Sequence, residues 1–271
     1  MNDYVAAMYR TRFAPSPTGY LHLGHAFSAL TAFEAAREQG GQFILRIEDI
    51  DHTRCRPEFE QAIYEDLNWL GLSWPLPVLR QSEHMADYIH ALDRLKDMGV
   101  LYADHKTRKG QIKNALSAPQ EGDIPPDRPM ASPSVDPAWR LSLDAARNVL
   151  GSRYDDLSFT EQGDIRACDP SHGGDVILGR RDIGVAYHLA VVIDDARQGV
   201  THIHRGHDLY EATHTQVLLQ ALLGLPTPAY AHHALLLDDQ GRRLAKRKGS
   251  KALRDYRNEG LSTADINAML K

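Results

Sequence analysis

The stretch Arg12-Phe13-Ala14-Pro15-Ser16-Pro17-Thr18-Gly19-Tyr20-Leu21-His22-Leu23-Gly24-His25 decides the fold. Residues 10–14 read as a short strand with Phe13 inward. Pro15 to Gly19 break it, because proline fixes φ and glycine loosens the chain. From Leu23 the apolar residues fall at Leu23, Ala26, Phe27, Leu30 and Phe33, which is helical spacing. Gly40-Gly41 ends that helix. Phe43, Ile44, Leu45 and Ile47 give a second strand that closes on Glu48 and Asp49. Strand, helix, strand is a βαβ unit, so a parallel sheet is expected. The fold class is therefore α/β: a Rossmann-type parallel sheet with a mid-chain insertion.

The helix start at His22-Leu23-Gly24-His25 is a candidate nucleotide grip. A helix N-terminus offers unpaired N–H groups and a positive dipole end to phosphate. Gly24 lets a ligand approach the backbone. Two histidines three apart share one face and can donate hydrogen bonds to phosphate oxygens. The dinucleotide fingerprint G-x-G-x-x-G is missing.

Outward from this unit, Pro57 opens a helix striped by Phe59, Ile63, Leu67 and Leu70. Ser82 is placed to cap the next, with Met85, Ile89, Leu92 and Leu95 inside. Six prolines (Pro119, Pro125, Pro126, Pro129, Pro133 and Pro137) then forbid a regular element between about Asp104 and Pro137. Residues 140–180 read as short strands with charged turns. The α/β pattern resumes with strands expected at Tyr187–Ile193, Val200–Ile203 and Ala234–Leu237. A helix is expected at Leu209–Leu223, closed by Gly224. This gives a first half-core at 1–103, an insertion and small lobe at 104–184, and a second half-core at 185–271.

The composition fits an ordinary globular chain: 271 residues, 42% hydrophobic and 25% charged. That excludes a disordered or collagen-like polymer. No apolar run approaches a membrane span, and residues 1–10 lack the apolar core of a secretion signal. A cytoplasmic protein without membrane contact is expected. Cys55 and Cys168 are too few for a disulfide framework or a zinc cluster. The net charge of −5 gives no bulk signal for nucleic acid. His202 and His204, like His232-His233, are expected to be solvated or core histidines. Asp194-Asp195 can cap a turn or orient a ligand. Tyr210 and Tyr230 are expected to pack.

The opening stretch resembles that of class I glutamyl-tRNA synthetases. The likeness continues at Leu45-Arg46-Ile47-Glu48-Asp49-Ile50-Asp51, at Tyr187 to Asp195, and at His204-Arg205-Gly206-His207-Asp208-Leu209. The basic run Arg242 to Gly249 sits where that family carries its lysine loop. The resemblance implies adenylate formation from ATP with Mg²⁺. It places His22, Gly24, His25 and Lys246 on ATP, with His22, His25 and Lys246 catalytic. It places Arg12, Ala14, Ser16, Glu48, Tyr187 and Arg205 on L-glutamate. The chemistry agrees: arginines meet carboxylates bidentately, and an acid at a strand's end meets an ammonium.

Three departures narrow the resemblance. The lysine loop carries Arg243, Ala245 and Arg247 at family positions, with Lys246 retained and Lys248 as an alternative register. Asp104 and Lys106 stand where short relatives open a zinc site with two cysteines, so no zinc and no other metal site are expected. The chain ends at Lys271, soon after the loop, so no anticodon-binding domain is expected. These features fit the catalytic-core branch of the family, which attaches glutamate to the cyclopentene diol of queuosine in tRNA(Asp). A monomer is expected. The alternatives are a shortened glutamyl-tRNA synthetase charging tRNA(Glu), or a catalytically weak nucleotide-binding module.

Overall fold

The computed structural model describes residues 8–105, 137–236 and 251–270. In chain order its elements are β1 (Arg10–Phe13), α1 (Leu23–Glu38), β2 (Gln42–Ile47), α2 (Pro57–Trp69), β3 (Leu79–Arg80), α3 (Met85–Asp97), β4 (Leu101–Asp104) and β5 (Ala138–Leu141). Then come α4 (Leu143–Leu150), α5 (Ser152–Asp155), β6 (Ser158–Glu161), β7 (Asp164–Ala167), β8 (Ile177–Arg180), β9 (Gly184–Val185) and α6 (Tyr187–Arg197). The last are β10 (His202–Gly206), α7 (Tyr210–Leu223), β11 (Ala229–His233), α8 (Leu253–Asn258) and α9 (Thr263–Met269).

The chain divides into two compact units. The first holds the described residues up to Gln81, Gly199–His207 and those from Pro228 onward. Its strands are parallel: β1 pairs with β2, β2 with β3, and β10 with β11. At the β1 end of β10, Thr201 N–H donates to Arg10 O at 3.0 Å and Arg10 N–H donates to Thr201 Oγ1 at 2.8 Å. The helix α1 lies on this layer through Ala26, Ala29, Ala32 and Ala36, all fully buried. Small side chains at that spacing let the helix backbone close on the strands, and Thr11 Oγ1 donates to Ala32 O at 2.8 Å. Leu23, Leu30 and Phe33 cover the margins of the same core. The sequence reading gave the helix its correct element but put the larger residues at its centre.

Pro57 occupies the first turn of α2, as expected, and Ile63 and Leu67 are fully buried. The second unit holds Ser82–Gln198 and Asp208–Thr227. Its sheet is antiparallel, in the order β4-β5-β8-β9. The hairpin β6–β7 turns on Gln162 and Gly163, both at positive φ (50° and 91°). A two-residue turn of that hand matches the twist of paired strands.

Several expectations need correcting. Tyr187–Ile193 is not a strand but most of α6. From His188 to Asp195 every residue but the half-buried Ile193 is buried, so no polar face marks a period and strand and helix look alike in sequence. The two aspartates are neither a turn cap nor exposed: Asp194 accepts from the Tyr88 hydroxyl at 2.8 and 2.9 Å. The strands expected at Val200–Ile203 and Ala234–Leu237 are His202–Gly206 and Ala229–His233. Both carry polar residues at buried positions, which hid them, and Leu237 lies outside the described residues. Ser82 does not cap α3; a 3-10 turn spans Gln81–His84 and the helix starts at Met85. The buried face of α3 is Tyr88, Ala91, Leu92 and Leu95, leaving Ile89 exposed. The 140–180 lobe contains α4 and α5 besides its strands. The proline-rich run lies mostly outside the described residues.

Candidate active site

The N-terminus of α1 is closed by its two histidines. Gly24 N–H donates to His22 Nδ1 at 3.1 Å, and His22 N–H donates to His25 Nδ1 at 3.2 Å. A nitrogen that accepts is unprotonated, so each neutral ring carries its proton on Nε2. The rings lie 3.9 Å apart, centroid to centroid. The motif therefore presents two Nε2–H donors at a helix end whose dipole already favours anions.

The loop between β1 and α1 is anchored to the end of β2. Glu48 N–H donates to Pro15 O at 3.1 Å, and Arg56 N–H donates to Pro17 O at 3.0 Å. These bonds bring Ala14 and Ser16 to the carboxyl end of the parallel strands, beside Glu48. Glu48 is buried, and Arg46 Nη2 reaches its Oε1 at 3.2 Å. Arg46 is fully buried. The sequence reading did not single it out. An arginine inside the apolar run Phe43 to Ile47 demands a partner, and period-two spacing puts Glu48 on its face.

Arg12 is buried on β1 and Arg205 on β10. Arg205 Nε donates to His232 Nε2 at 3.0 Å, and its Cζ sits 5.2 Å from the Tyr230 ring centroid. Burial, then the charges of Arg205, His207, Arg12 and His233, push the His232 imidazole down to about 2. Arg12 and Arg205 thus lie on the first unit's parallel strands, and Glu48 follows β2 at its carboxyl end. That is the complement of a ligand carrying carboxylates and an ammonium. Tyr187 opens α6 in the second unit and is half-buried. Lys246, with Arg242, Arg243, Arg247 and Lys248, lies outside the described residues.

The other singled-out groups have structural explanations. His202 stacks on Tyr9 at 3.7 Å, and the Tyr9 hydroxyl meets His204 Nε2 at 3.1 Å, so both share one face as expected. Burial pushes the thiols of Cys55 and Cys168 up to about 12, which leaves them unreactive. His172, Glu211 and His214 bring three donor atoms within 4.8 Å of one another. They make a poor metal site. The two rings stack, and His214 Nδ1 accepts the Asp169 N–H at 3.0 Å, so the in-plane lone pairs do not converge.

Residues 8–131 and 160–270 match the family model of the catalytic domain of class I tRNA synthetases (E and Q). The chain belongs to that family. It is a ligase of the aminoacyl-tRNA synthetase kind, and such enzymes use ATP, normally with Mg²⁺. This synthetase is 48% identical to a glutamyl-Q tRNA(Asp) synthetase of Rhodobacter capsulatus, over 96% of this chain and 99% of the relative. It is 40% identical to one of Nitratidesulfovibrio vulgaris, over 97% of this chain and 85% of the relative. Its fold matches the crystal structure of a glutamate tRNA ligase from Elizabethkingia meningosepticum in complex with its amino acid. There the TM-score is 0.65 and the identity 26%, over 94% of this chain. The chain spans about half of that ligase, 53% of its length.

Proposed function

We propose that the protein activates L-glutamate with ATP and transfers it to the cyclopentene diol of queuosine at the wobble position of tRNA(Asp). The observation that carries the activation step is the pair of hydrogen bonds that makes Nδ1 of both His22 and His25 an acceptor at the α1 terminus, leaving Nε2 of each ring as its donor nitrogen. In the first step a glutamate carboxylate oxygen bonds to the α-phosphorus, and the bond to the bridging oxygen breaks to release pyrophosphate. The developing negative charge is met by His22, His25 and Lys246, and Gly24, lacking a side chain, lets the phosphate approach the helix end. Catalysis of this kind is chiefly positioning and charge stabilisation. Mg²⁺ would be bound with the nucleotide and would supply further positive charge to its phosphates.

Arg12 and Arg205 take carboxylates, and Glu48 takes the ammonium, with Arg46 orienting Glu48. Ala14 and Ser16 line the same ligand. In the second step a queuosine hydroxyl oxygen attacks the adenylate carbonyl carbon, AMP leaves, and the hydroxyl proton passes to the departing phosphate. The near-complete coverage of a glutamyl-Q tRNA(Asp) synthetase at 48% identity supports queuosine as acceptor.

The test has two parts. Glutamate-dependent ATP–pyrophosphate exchange is expected without any tRNA. Glutamate transfer is expected to tRNA(Asp) that contains queuosine and not to tRNA(Asp) lacking it. Transfer to tRNA(Glu) irrespective of queuosine refutes the acceptor, and absence of exchange refutes the activation step.

A further inference from the structure

We infer that His232 is a positioning residue for Arg205, fixing which edge of its guanidinium meets the substrate carboxylate. The inference rests on the reading of Arg205 as a glutamate-binding residue. The strands β10 and β11 are parallel, and their register sets Arg205 beside His232. Both side chains are buried, at 4% and 5% exposure. Arg205 Nε donates to His232 Nε2 at 3.0 Å. The acceptor nitrogen is unprotonated, so the ring is neutral with its proton on Nδ1.

Two further contacts complete the clamp. The guanidinium carbon lies 5.2 Å from the Tyr230 ring centroid. The Tyr230 and His232 rings are parallel within 3°. One side of the guanidinium is thus committed through Nε, and its plane is set against an aromatic face. A carboxylate then meets the outer Nη edge rather than the Nε side. Orientation of this kind separates a glutamate-length side chain from a shorter one, because the edge sits at one fixed depth.

The chemistry of the acceptor matters as much as its place. A carboxylate at 232 would neutralise Arg205 and compete with the substrate. A cation would repel it. An imidazole surrounded by Arg205, Arg12, His207 and His233, and buried, stays neutral across the working pH range. It directs the guanidinium without consuming its charge.

Three variants and one control test this in the ATP–pyrophosphate exchange assay. His232→Leu removes the acceptor and is expected to raise the KM for glutamate about tenfold, the cost of one hydrogen bond to a charged group. The KM for ATP should not move. His232→Gln keeps a neutral acceptor and should stay within about threefold of the parent. His232→Glu should raise the glutamate KM further than Leu. If the Leu protein fails to fold by circular dichroism, the Gln and Glu variants decide: equal effects of the two overturn the inference. So does a parallel rise in the ATP KM. Arg205→Ala is the control. If it leaves the glutamate KM unchanged, the pocket reading fails. If it raises that KM while His232→Leu does not, the positioning role fails alone.

Discussion

Ala252 pairs with His22 in an antiparallel bridge, and the next residue, Leu253, donates its N–H to Leu21 O at 2.8 Å. On the other side, His233 Nε2 meets Ser28 Oγ at 2.9 Å and its ring packs edge-on against Phe27. The described residues flanking 237–250 are therefore both tied to the first turns of α1. Short-range tethering lowers the loop-closure cost of bringing a lysine to a phosphate there. Lys246→Ala is expected to lower the exchange rate about a hundredfold, as loss of a transition-state charge does. Lys248→Ala should leave it within about threefold. A reversed order in pre-steady-state exchange would move the loop register by two residues.

His22 and His25 both cap the helix, His22 by accepting from Gly24 N–H and His25 by accepting from His22 N–H, so removing either costs about 1 kcal/mol of stability along with any catalytic loss. His25→Ala is expected to reduce kcat of exchange by about a hundredfold or more with little change in the KM for glutamate. Its thermal midpoint should fall only by the few degrees that loss of one capping bond accounts for. A change confined to the glutamate KM would place His25 on the amino acid instead of the nucleotide.

Asp66 makes stability depend on pH. It is fully buried on α2, and neither carboxylate oxygen has a hydrogen-bond partner among the described residues. Burial is the main cause that raises its carboxyl to about 6; Arg257, 3.5 Å away, pulls in the opposite direction. The unfolded chain releases that proton near 3.8. The native state therefore binds the proton more tightly. Its stabilising contribution is complete below 3.8 and is lost as pH rises through 6. Asp66→Asn should gain about 1–3 kcal/mol in urea melts at pH 8, because it abolishes the cost of a buried charge. At pH 3.5 the gain should vanish. An equal gain at both values would show that packing, not ionisation, is responsible.

The parts of this molecule legible in sequence are those where polarity and period agree. The β1-loop-α1 signature, Pro57 at a helix start and Gly224 at a helix end were readable because each fixes backbone conformation locally. Gly224 adopts the left-handed form that lets α7 stop. The helix α6 was misread because burial on nearly every side erased its period. Glu48, Arg12 and Arg205 stand out as a set through resemblance and charge, and the structure buries all three. Arg46 and His232 do not stand out in this way. Each acquires its meaning from a neighbour, and for His232 that neighbour arrives only through the parallel register of two strands 27 residues apart.

Asp104 stands where the family resemblance would place the first cysteine of a zinc site, and here it is buried and paired with Arg140. Arg140 Nε reaches its Oδ2 across the β4–β5 ladder, and Arg140 Nη1 donates to Asp175 O at 2.8 Å. Arg181 Nη2 donates to the Asp104 carbonyl at 2.9 Å. These bonds add side-chain anchors to the β4–β5 ladder at the end of β4, the last element before residues 106–136. Removing one partner of such a pair strands the other in a low dielectric, which costs about 3–5 kcal/mol. Asp104→Ala should therefore shift the urea midpoint strongly, whereas treating the parent protein with a chelator should not shift it. The two measurements separate the causes. If chelation lowers the midpoint and Asp104→Ala does not, a metal supports this unit and the Asp104–Arg140 pair is incidental to its stability.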